Sequence, residues 1–574
     1  MANLVSDILS AEQTFIDVYI SALRWIAPII ALVLLLRCIR PLVFFRREPE
    51  IWAWLCMTDG KKLPVTHWEN VIGRSKRSDI VIDFPTISRN HAVLTRYDDG
   101  SWTIMDAESK DGVFVNGKRV RIRALQPQED VIAIGGVEMT LQPISARQEQ
   151  RLAELRTRAS SVMSSIINVV LLTALQLLIC LAFLMGSPAQ TAQAVLIGFG
   201  GIMICQWLLL LFFVCIQRTS FEIETIAFFL SSFGMAVICT VAPQEAFKQM
   251  LALVLGISAF LAIGWSLRDL ERAKLFRRIA AVAGVALLVI TLLFGQTYYG
   301  ARNWLVIGSI SLQPSELSKV CFVFVGASAM DRIVTKRNLI LFIAYSAMLC
   351  GLLAIMNDFG TALIFFCAFL VIAYLRSGSV GTLALAIAAL GFAGVLALRM
   401  APHALQRFAS WRHIWEHPLE GGYQQTRALM CIASGGLMGL GAGKGWMKNV
   451  FAADSDMAVA TLSEEWGLIM LIIAVLAIIA LAVFCVRSAT VGRSSFYTIS
   501  ACTAVSILLV QVILNALGTV DVVPLTGVTF PFLSNGGSSM ICSWGLLAFI
   551  KAADTRQNAS FAVRLAKSGG DADE

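Results

Sequence analysis

The chain has 574 residues, of which 57% are hydrophobic and 15% charged, and its mean hydropathy is +0.73. Soluble domains lie nearer roughly 45–50% apolar and about 25% charged, so an ordinary soluble protein is excluded and a polytopic membrane protein is implied. The net charge of +8 does not imply nucleic acid, because most Lys and Arg fall in short loops and tails between apolar runs, as they do on the cytoplasmic side of membrane proteins.

Met1–Tyr19 is polar and acidic before any apolar run begins, so no cleavable signal peptide is expected. The first apolar run, Ile20–Phe45, is long enough to span, and Arg37, Arg40, Arg46 and Arg47 assign its C-terminal end to the cytoplasm. Residues 1–48 thus form an N-terminal transmembrane segment. Residues 50–145 read differently: IVID, HAVLTRY, SWTIMD, GVFVNG and VIAIG are short alternating runs separated by turn residues, which predicts a small all-β sandwich. Ser145–Arg158 is charged and helix-prone, and opens a 146–220 region with two further apolar runs, 163–186 and 194–216.

Ten more runs follow at about 222–241, 249–266, 278–295, 315–331, 338–356, 360–375, 380–399, 465–486, 497–518 and 538–552. If each run crosses once, there are thirteen crossings, and the basic loops fall on the same side as the β island. The tail 554–574 is then cytoplasmic, and the polar stretch 400–464 lies outside with 295–314, 356–360 and 521–539. The 13 Cys are scattered without a CxxC pair, many within apolar runs, and read as small buried hydrophobes.

Within the island, Gly73-Arg74, Ser88-Arg89-Asn90-His91 and Asn116-Gly117 occur in that order. Over about residues 50–142 this resembles the forkhead-associated (FHA) domain, a family that recognises phosphothreonine peptides through loops at one end of its sandwich. A phosphate carries nearly two charges and several accepting oxygens, so it needs a forked cation with hydroxyl or amide donors. The resemblance implies that Arg74 and Ser88 contact the phosphate with Arg89 assisting, that His91 braces the Ser88 loop, and that Asn116 orders the neighbouring loops of the phosphopeptide-binding face. Where the family usually has Asn-Gly-Thr, this chain has Asp111-Gly112-Val113, which removes an amide, adds a negative charge and lacks the hydroxyl. A sandwich that no longer reads phosphate is the alternative, and the retention of Arg74 and Ser88 favours a working reader.

Four outer-side polar segments carry the second pattern. They are Arg302-Asn303-Trp304 with Gln313-Pro314-Ser315-Glu316-Leu317-Ser318-Lys319; Asn357-Asp358-Phe359-Gly360-Thr361; the 407–467 stretch ending in Ser463-Glu464-Glu465-Trp466-Gly467; and Thr526–Phe532 with Ser534-Asn535-Gly536-Gly537-Ser538-Ser539. Over about residues 221–553 these resemble the SEDS family (shape, elongation, division and sporulation) of FtsW/RodA-type peptidoglycan glycosyltransferases. The resemblance implies a polytopic α-helical membrane protein: a ten-helix SEDS core, about three extra helices, and an inserted all-β FHA-like sandwich.

That family polymerises lipid II, an undecaprenyl-pyrophosphate disaccharide-peptide, outside the membrane. The chemistry needs a base for the acceptor sugar 4-hydroxyl and positive charge for the departing pyrophosphate. The family's acidic catalytic residue precedes Glu-Glu-Leu-Gly in a His-Thr-Asp-Phe stretch, and counting back from Glu464-Glu465 places Asp456 on it. Asp454 stands where the family has His, and Asn535 where it usually has Tyr. Asp454 is either a second carboxylate acting on Asp456 or ion, or a solvated side chain. Glu316 and Lys319 share a helix face at i, i+3 and form either a structural pair or, with Arg302, part of an anion-binding cavity. Trp304 either stacks on a sugar or anchors the interface, Asp358 suits helix N-capping as well as catalysis, and Ser534, Ser538 and Ser539 are candidate hydroxyl donors to pyrophosphate or sugar. The Gly435–Gly445 stretch lacks GxxxxGK[ST] and is read as close backbone approach. His403, His413 and His417 show no metal spacing.

No metal-ligand set and no soluble cofactor is implied, although Mg²⁺ or Mn²⁺ at the pyrophosphate fits the chemistry. Implied partners are lipid II, a class B penicillin-binding protein (the transpeptidase), a phosphothreonine-bearing protein at the FHA-like domain, and the membrane, with no nucleic acid. There are two rivals: a lipid II transporter, whose pathway intramembrane charges such as Glu316 and Lys319 would also fit, and a phosphopeptide-gated scaffold with an inactive core, which the departures at Asp454 and Asn535 keep open.

Overall fold

The computed structural model describes residues 2–556 except 45–50, 77, 98–99, 146, 149–160, 187–188, 269, 299, 309, 332–335, 378–379, 401–407 and 490–493, and in addition 559–560. The helix-prone linker and most of the tail read from the sequence lie outside the described residues.

All thirteen apolar runs form helices: α1 (Ala2–Val43), α2 (Val162–Gly186), α3 (Ala189–Cys215), α4 (Glu222–Val241), α5 (Ala246–Ser266), α6 (Leu270–Phe294), α7 (Pro314–Asp331), α8 (Lys336–Ile355), α9 (Phe359–Ser377) and α10 (Val380–Met400), then, after the short α11 (Tyr423–Gly435), α12 (Ala458–Ala489), α13 (Ser495–Thr519) and α14 (Gly537–Ala552). Among the described residues eight helices are long and apolar enough to cross a membrane, and three shorter apolar helices accompany them. Helix α1 begins at Ala2 rather than Ile20, because residues 2–19 contain no Gly or Pro to stop it. Helix α4 is buried on nearly every side, and the carboxylates of its first turn, Glu222 and Glu224, are buried with it.

Side-chain contacts fix the two ends of the bundle. Arg37 donates to Asn168 Oδ1 (2.7 Å) at the end where α1 enters the sandwich, whereas Lys444 pairs with Asp17 (2.8 Å) at the other. Segment 296–312, read from sequence only as an outer polar stretch, folds into a three-stranded antiparallel sheet of Gln296–Tyr298, Ala301–Ile307 and Ile310–Leu312.

The sandwich contains β1 (Ala53–Met57), β2 (Lys62–Val65), β3 (Glu69–Gly73), β4 (Ile80–Val81), β5 (Ala92–Arg96), β6 (Trp102–Asp106), β7 (Val113–Val115), β8 (Lys118–Val120), β9 (Ile122–Leu125), β10 (Val131–Ile134) and β11 (Val137–Pro143). Its sheets have the orders β2-β1-β11-β10-β7-β8 and β4-β3-β5-β6-β9. Alternating residues such as Trp102 and Ile104, Val113 and Val115, and Ile132 and Ile134 point inward and form its own core. Trp68 packs against the helical core, and Ser495 Oγ at the start of α13 donates to Glu69 Oε2 (3.1 Å), which seats the sandwich on that end of the bundle.

Candidate active site

Helix α12 is interrupted where it meets the glycine-rich loop. Gly467 has φ +85° and ψ 163°, and a Cβ there would collide with the backbone of Leu437. The interruption frees backbone groups that the loop takes up: Leu440 N donates to Glu464 O (2.8 Å), Gly441 N to Glu465 O (2.9 Å), and Leu468 N to Gly436 O (3.0 Å). The glycines thus serve close backbone approach. The carboxylates of the Glu-Glu motif accept from the same loop. Glu464 receives the N–H of Trp446 (2.9 Å) and Met447 (2.8 Å), and Glu465 receives Thr240 Oγ1 (2.9 Å) and Gly445 N (3.3 Å). Buried and bonded to backbone, the pair anchors the loop that carries Asp456.

Asp456 is half-buried on the turn before α12. The three carbonyls leading to it are each held from outside the loop: Asn535 N donates to Asp454 O (2.7 Å), Ser534 Oγ to Ser455 O (2.6 Å) and Asn515 Nδ2 to Asp456 O (2.9 Å). Asn535 Nδ2 also donates to Asp454 Oδ2 (2.8 Å), so Asp454 is a bonded group turned toward the 534–539 loop. Ser534 Oγ additionally accepts from Phe530 N (2.9 Å), Ser538 Oγ accepts from Gln313 N (3.3 Å), and Ser539 shares a hydrogen bond with Thr529 (2.7 Å). Asp358 caps α9 through Thr361 N (3.1 Å), and its second oxygen faces Asn303 Nδ2 (3.4 Å) and Gln313 Nε2 (3.5 Å). All four polar segments therefore meet at one end of the bundle, linked by hydrogen bonds that run from Asn303 to Asp456.

Lys319 is fully buried and lies 2.6 Å from Glu316 Oε1, while Glu316 Oε2 and Ser315 Oγ are buried without a hydrogen-bond partner among the described residues. Arg302 is not joined to this pair: its guanidinium is exposed and one N–H donates to Leu292 O (3.2 Å) at the end of α6. Trp304 is half-buried on the small sheet, opposite Gln296. Beside the Glu464 anchor, an open pocket of about 400 Å³ is lined by Tyr423, Arg427, Met430, Cys431, Ser434, Trp446 and Glu464. Burial, with the Glu464 carboxylate adding to it, pushes the Cys431 thiol up to about 12, so it is protonated at neutral pH and is no nucleophile. Among the described residues no group of three or more His, Cys, Asp or Glu gathers to hold a metal. Asp454 is engaged by Asn535, so Mg²⁺ or Mn²⁺ here would rest on Asp456 with substrate oxygens and water completing the shell.

On the sandwich, Arg74 N donates to Ser88 O (3.0 Å) and Ser75 N to Arg89 O (3.1 Å), so Arg74, Ser88 and Arg89 share one end with both guanidinium-bearing residues exposed. Ser88 N donates to His91 Nδ1 (3.0 Å). A backbone N–H can only donate, so His91 Nε2 carries the proton and gives it to Gly112 O (3.0 Å). His91 is buried and braces both loops. Asn116 has φ +53°, donates to Asp130 Oδ1 (2.6 Å) and accepts from Val131 N (2.9 Å), so its amide is engaged within the sandwich. Asp111 is exposed at the same loop as Gly112.

A model of the FtsW/RodA/SpoVE family, described as cell cycle proteins, matches residues 226–559, and an FHA-domain model matches residues 70–135. The chain belongs to the FtsW/RodA/SpoVE family and carries an FHA domain. It is 32% identical over 323 residues to a probable peptidoglycan glycosyltransferase FtsW of Nitrosococcus halophilus, a match covering 54% of this chain and 82% of that protein. It is 27% identical over 325 residues to the peptidoglycan glycosyltransferase RodA of Mycobacterium tuberculosis, covering 53% and 69%. The crystal structure of the rod shape determining protein RodA of Thermus thermophilus is similar at 22% identity and a TM-score of 0.42, covering 58% of this chain and 95% of that one. The family's glycosyltransferase core corresponds to α4–α14, with α1–α3 and the sandwich attached to it.

One feature of this family member had no signal in the sequence. At the sandwich end, Arg556 reaches Asp554 (2.7 Å) and Glu222 (3.2 Å), and Lys551 reaches Glu224 (3.0 Å), all with side chains at most 1% exposed. Arg556 also donates to Ser220 Oγ (2.9 Å) and to Pro41 O (3.3 Å) of α1. Burial disfavours its charge, but Asp554 and Glu222 outweigh this and hold the guanidinium protonated above its ordinary value. Glu222 and Glu224 lie more than three hundred residues from Arg556 and Lys551 in the chain, which hides these pairs from any local motif.

Proposed function

We propose that the chain polymerises lipid II into glycan strands at the outer face of the bacterial cytoplasmic membrane, with the FHA domain and C-terminus in the cytoplasm. Asp456 takes the proton of the acceptor 4-hydroxyl. That oxygen attacks the anomeric carbon of the donor, and the carbon–oxygen bond to undecaprenyl pyrophosphate breaks as the leaving group takes the electron pair. Lys319 and Arg302 supply positive charge toward the pyrophosphate; Arg302 has five donors, of which one is engaged with Leu292. Trp304, Glu316 and Ser538 with Ser539 border the substrate. Mg²⁺ or Mn²⁺, where bound, would neutralise pyrophosphate charge. The observation that carries the reading is the convergence of four sequence-distant polar segments on the pinned Asp456 loop. A class B penicillin-binding protein is the expected partner.

Purified protein with its transpeptidase partner and labelled lipid II makes glycan ladders that disappear in Asp456→Ala. Transport of lipid II without ladders from the unaltered protein would favour the transporter reading instead. The FHA domain reads a phosphothreonine protein through Arg74, Ser88 and Arg89. Arg74→Ala therefore weakens binding of a phosphothreonine peptide about tenfold or more, as expected for a lost charged hydrogen bond. Equal binding of the unphosphorylated peptide would contradict it.

A further inference from the structure

Resting on the assignment of Asp456, we propose that Asn535 and Asp454 form a matched clamp that sets the pose of the Asp456 segment, with Asn535 as its positioning residue. The bond between them is double: backbone N–H to backbone carbonyl at 2.7 Å, and side-chain amide to carboxylate at 2.8 Å. Two bonds between the same two residues fix an orientation as well as a distance.

The donor side of the clamp is itself anchored. Gly536 N donates to Gln249 Oε1 (3.3 Å) of α5, Ser534 Oγ takes Phe530 N (2.9 Å), and Met540 N donates to Gly536 O (2.9 Å) at the start of α14. From the other side Asn515 of α13 uses both amide protons, on Asp456 O (2.9 Å) and Val528 O (2.7 Å). The 454–456 segment is thus held against three helices.

Charge explains why an amide stands at 535. Asp454 lies two residues from Asp456, and an unheld carboxylate there could turn toward the reacting base. Asn535 Nδ2 draws it to the 534–539 loop instead. A carboxylate only accepts and the amide nitrogen only donates, so the two side chains are complementary. They are also the two positions at which the outer motifs depart from the family's usual His and Tyr. The two departures meet in space.

The pairing predicts an asymmetric pattern in single and double variants. Asn535→Asp sets two carboxylates against each other and lowers kcat roughly 10- to 100-fold, the scale expected when a reacting group is misplaced, with KM within about twofold. Asp454→Asn keeps an accepting oxygen for the Asn535 amide and stays within about threefold of the unaltered protein. The double variant Asp454→Asn/Asn535→Asp faces an amide with a carboxylate in reverse, and restores kcat to within about threefold. The measurement is lipid II polymerisation by the full chain with its transpeptidase partner, beside a thermal melt to confirm folding. Asp456→Asn is run in parallel. Activity in Asp456→Asn would overturn the base assignment, while the rescue pattern still judges the clamp. Full activity of Asn535→Asp, or its loss without rescue in the double variant, would overturn the clamp.

Discussion

The two ends of the helical bundle bury charge in different ways. At the sandwich end, Glu222, Glu224, Lys551, Asp554 and Arg556 are almost wholly buried, each within ion-pair distance of an opposite charge. At the other end the carboxylates are half-buried or held by neutral donors: Asp456 sits on a turn, and Glu464 and Glu465 accept from backbone N–H groups and Thr240. A buried cluster in which every charge has an opposite partner reads as a staple, and half-buried or neutrally partnered carboxylates read as a working face. The first joins α1, α4, α14 and the tail; the second is where the four motifs meet.

The contrast breaks most readily at the staple. Arg556→Met leaves Glu222 and Asp554 facing each other in the interior and should cost about 3–5 kcal/mol, the usual range for breaking one side of a buried ion pair. A melt in detergent reads this as a large fall in Tm. An unchanged Tm with lost activity would make the sandwich-end cluster functional and erase the distinction. At the end away from the sandwich the neutral replacement Glu316→Gln/Lys319→Met preserves approximate shape, so its Tm should stay close to that of the unaltered protein. Polymerisation should fall by at least about tenfold, from the loss of a charged interaction on the order of 1.5–3 kcal/mol. A large fall in Tm with normal specific activity would instead place Glu316 and Lys319 with the staples. The smallest effect is expected at the surface. His413 holds the Glu416 carboxyl below its usual range through a direct hydrogen bond, but both side chains are well exposed. His413→Ala should be indistinguishable from the unaltered protein in both melt and activity; a measurable drop in either would show that the large loop is tied down at its rim.

Much of the architecture was legible in the sequence because it is periodic or local. Apolar runs gave every membrane-length helix, and alternation gave the sandwich. His91 could be assigned to bracing because its motif is short. What escaped was long-range or compensatory. The small sheet at 296–312 lies in a stretch read only as polar, although Trp304–Ile307 and Ile310–Leu312 flank a turn at Gly308. The early start of α1 was missed because hydropathy marks where a helix is apolar, not where it begins. Of the three hydroxyls read as donors for substrate, that of Ser534 is given to Ser455 O, a contact no local motif signals, whereas Ser538 Oγ accepts from Gln313 N. Asp454 and Asn535 looked like two separate departures until they were seen bonded to each other.

The central claim is that Asp456, held by Asn535, Ser534 and Asn515, is the base of a glycan polymerase. Its most direct test is single-turnover polymerisation of labelled lipid II by the full chain with its transpeptidase partner, comparing the unaltered protein with Asp456→Asn. The account predicts ladders from the first and none from the second at equal Tm and equal partner binding. Ladders of normal length and rate from Asp456→Asn would contradict it.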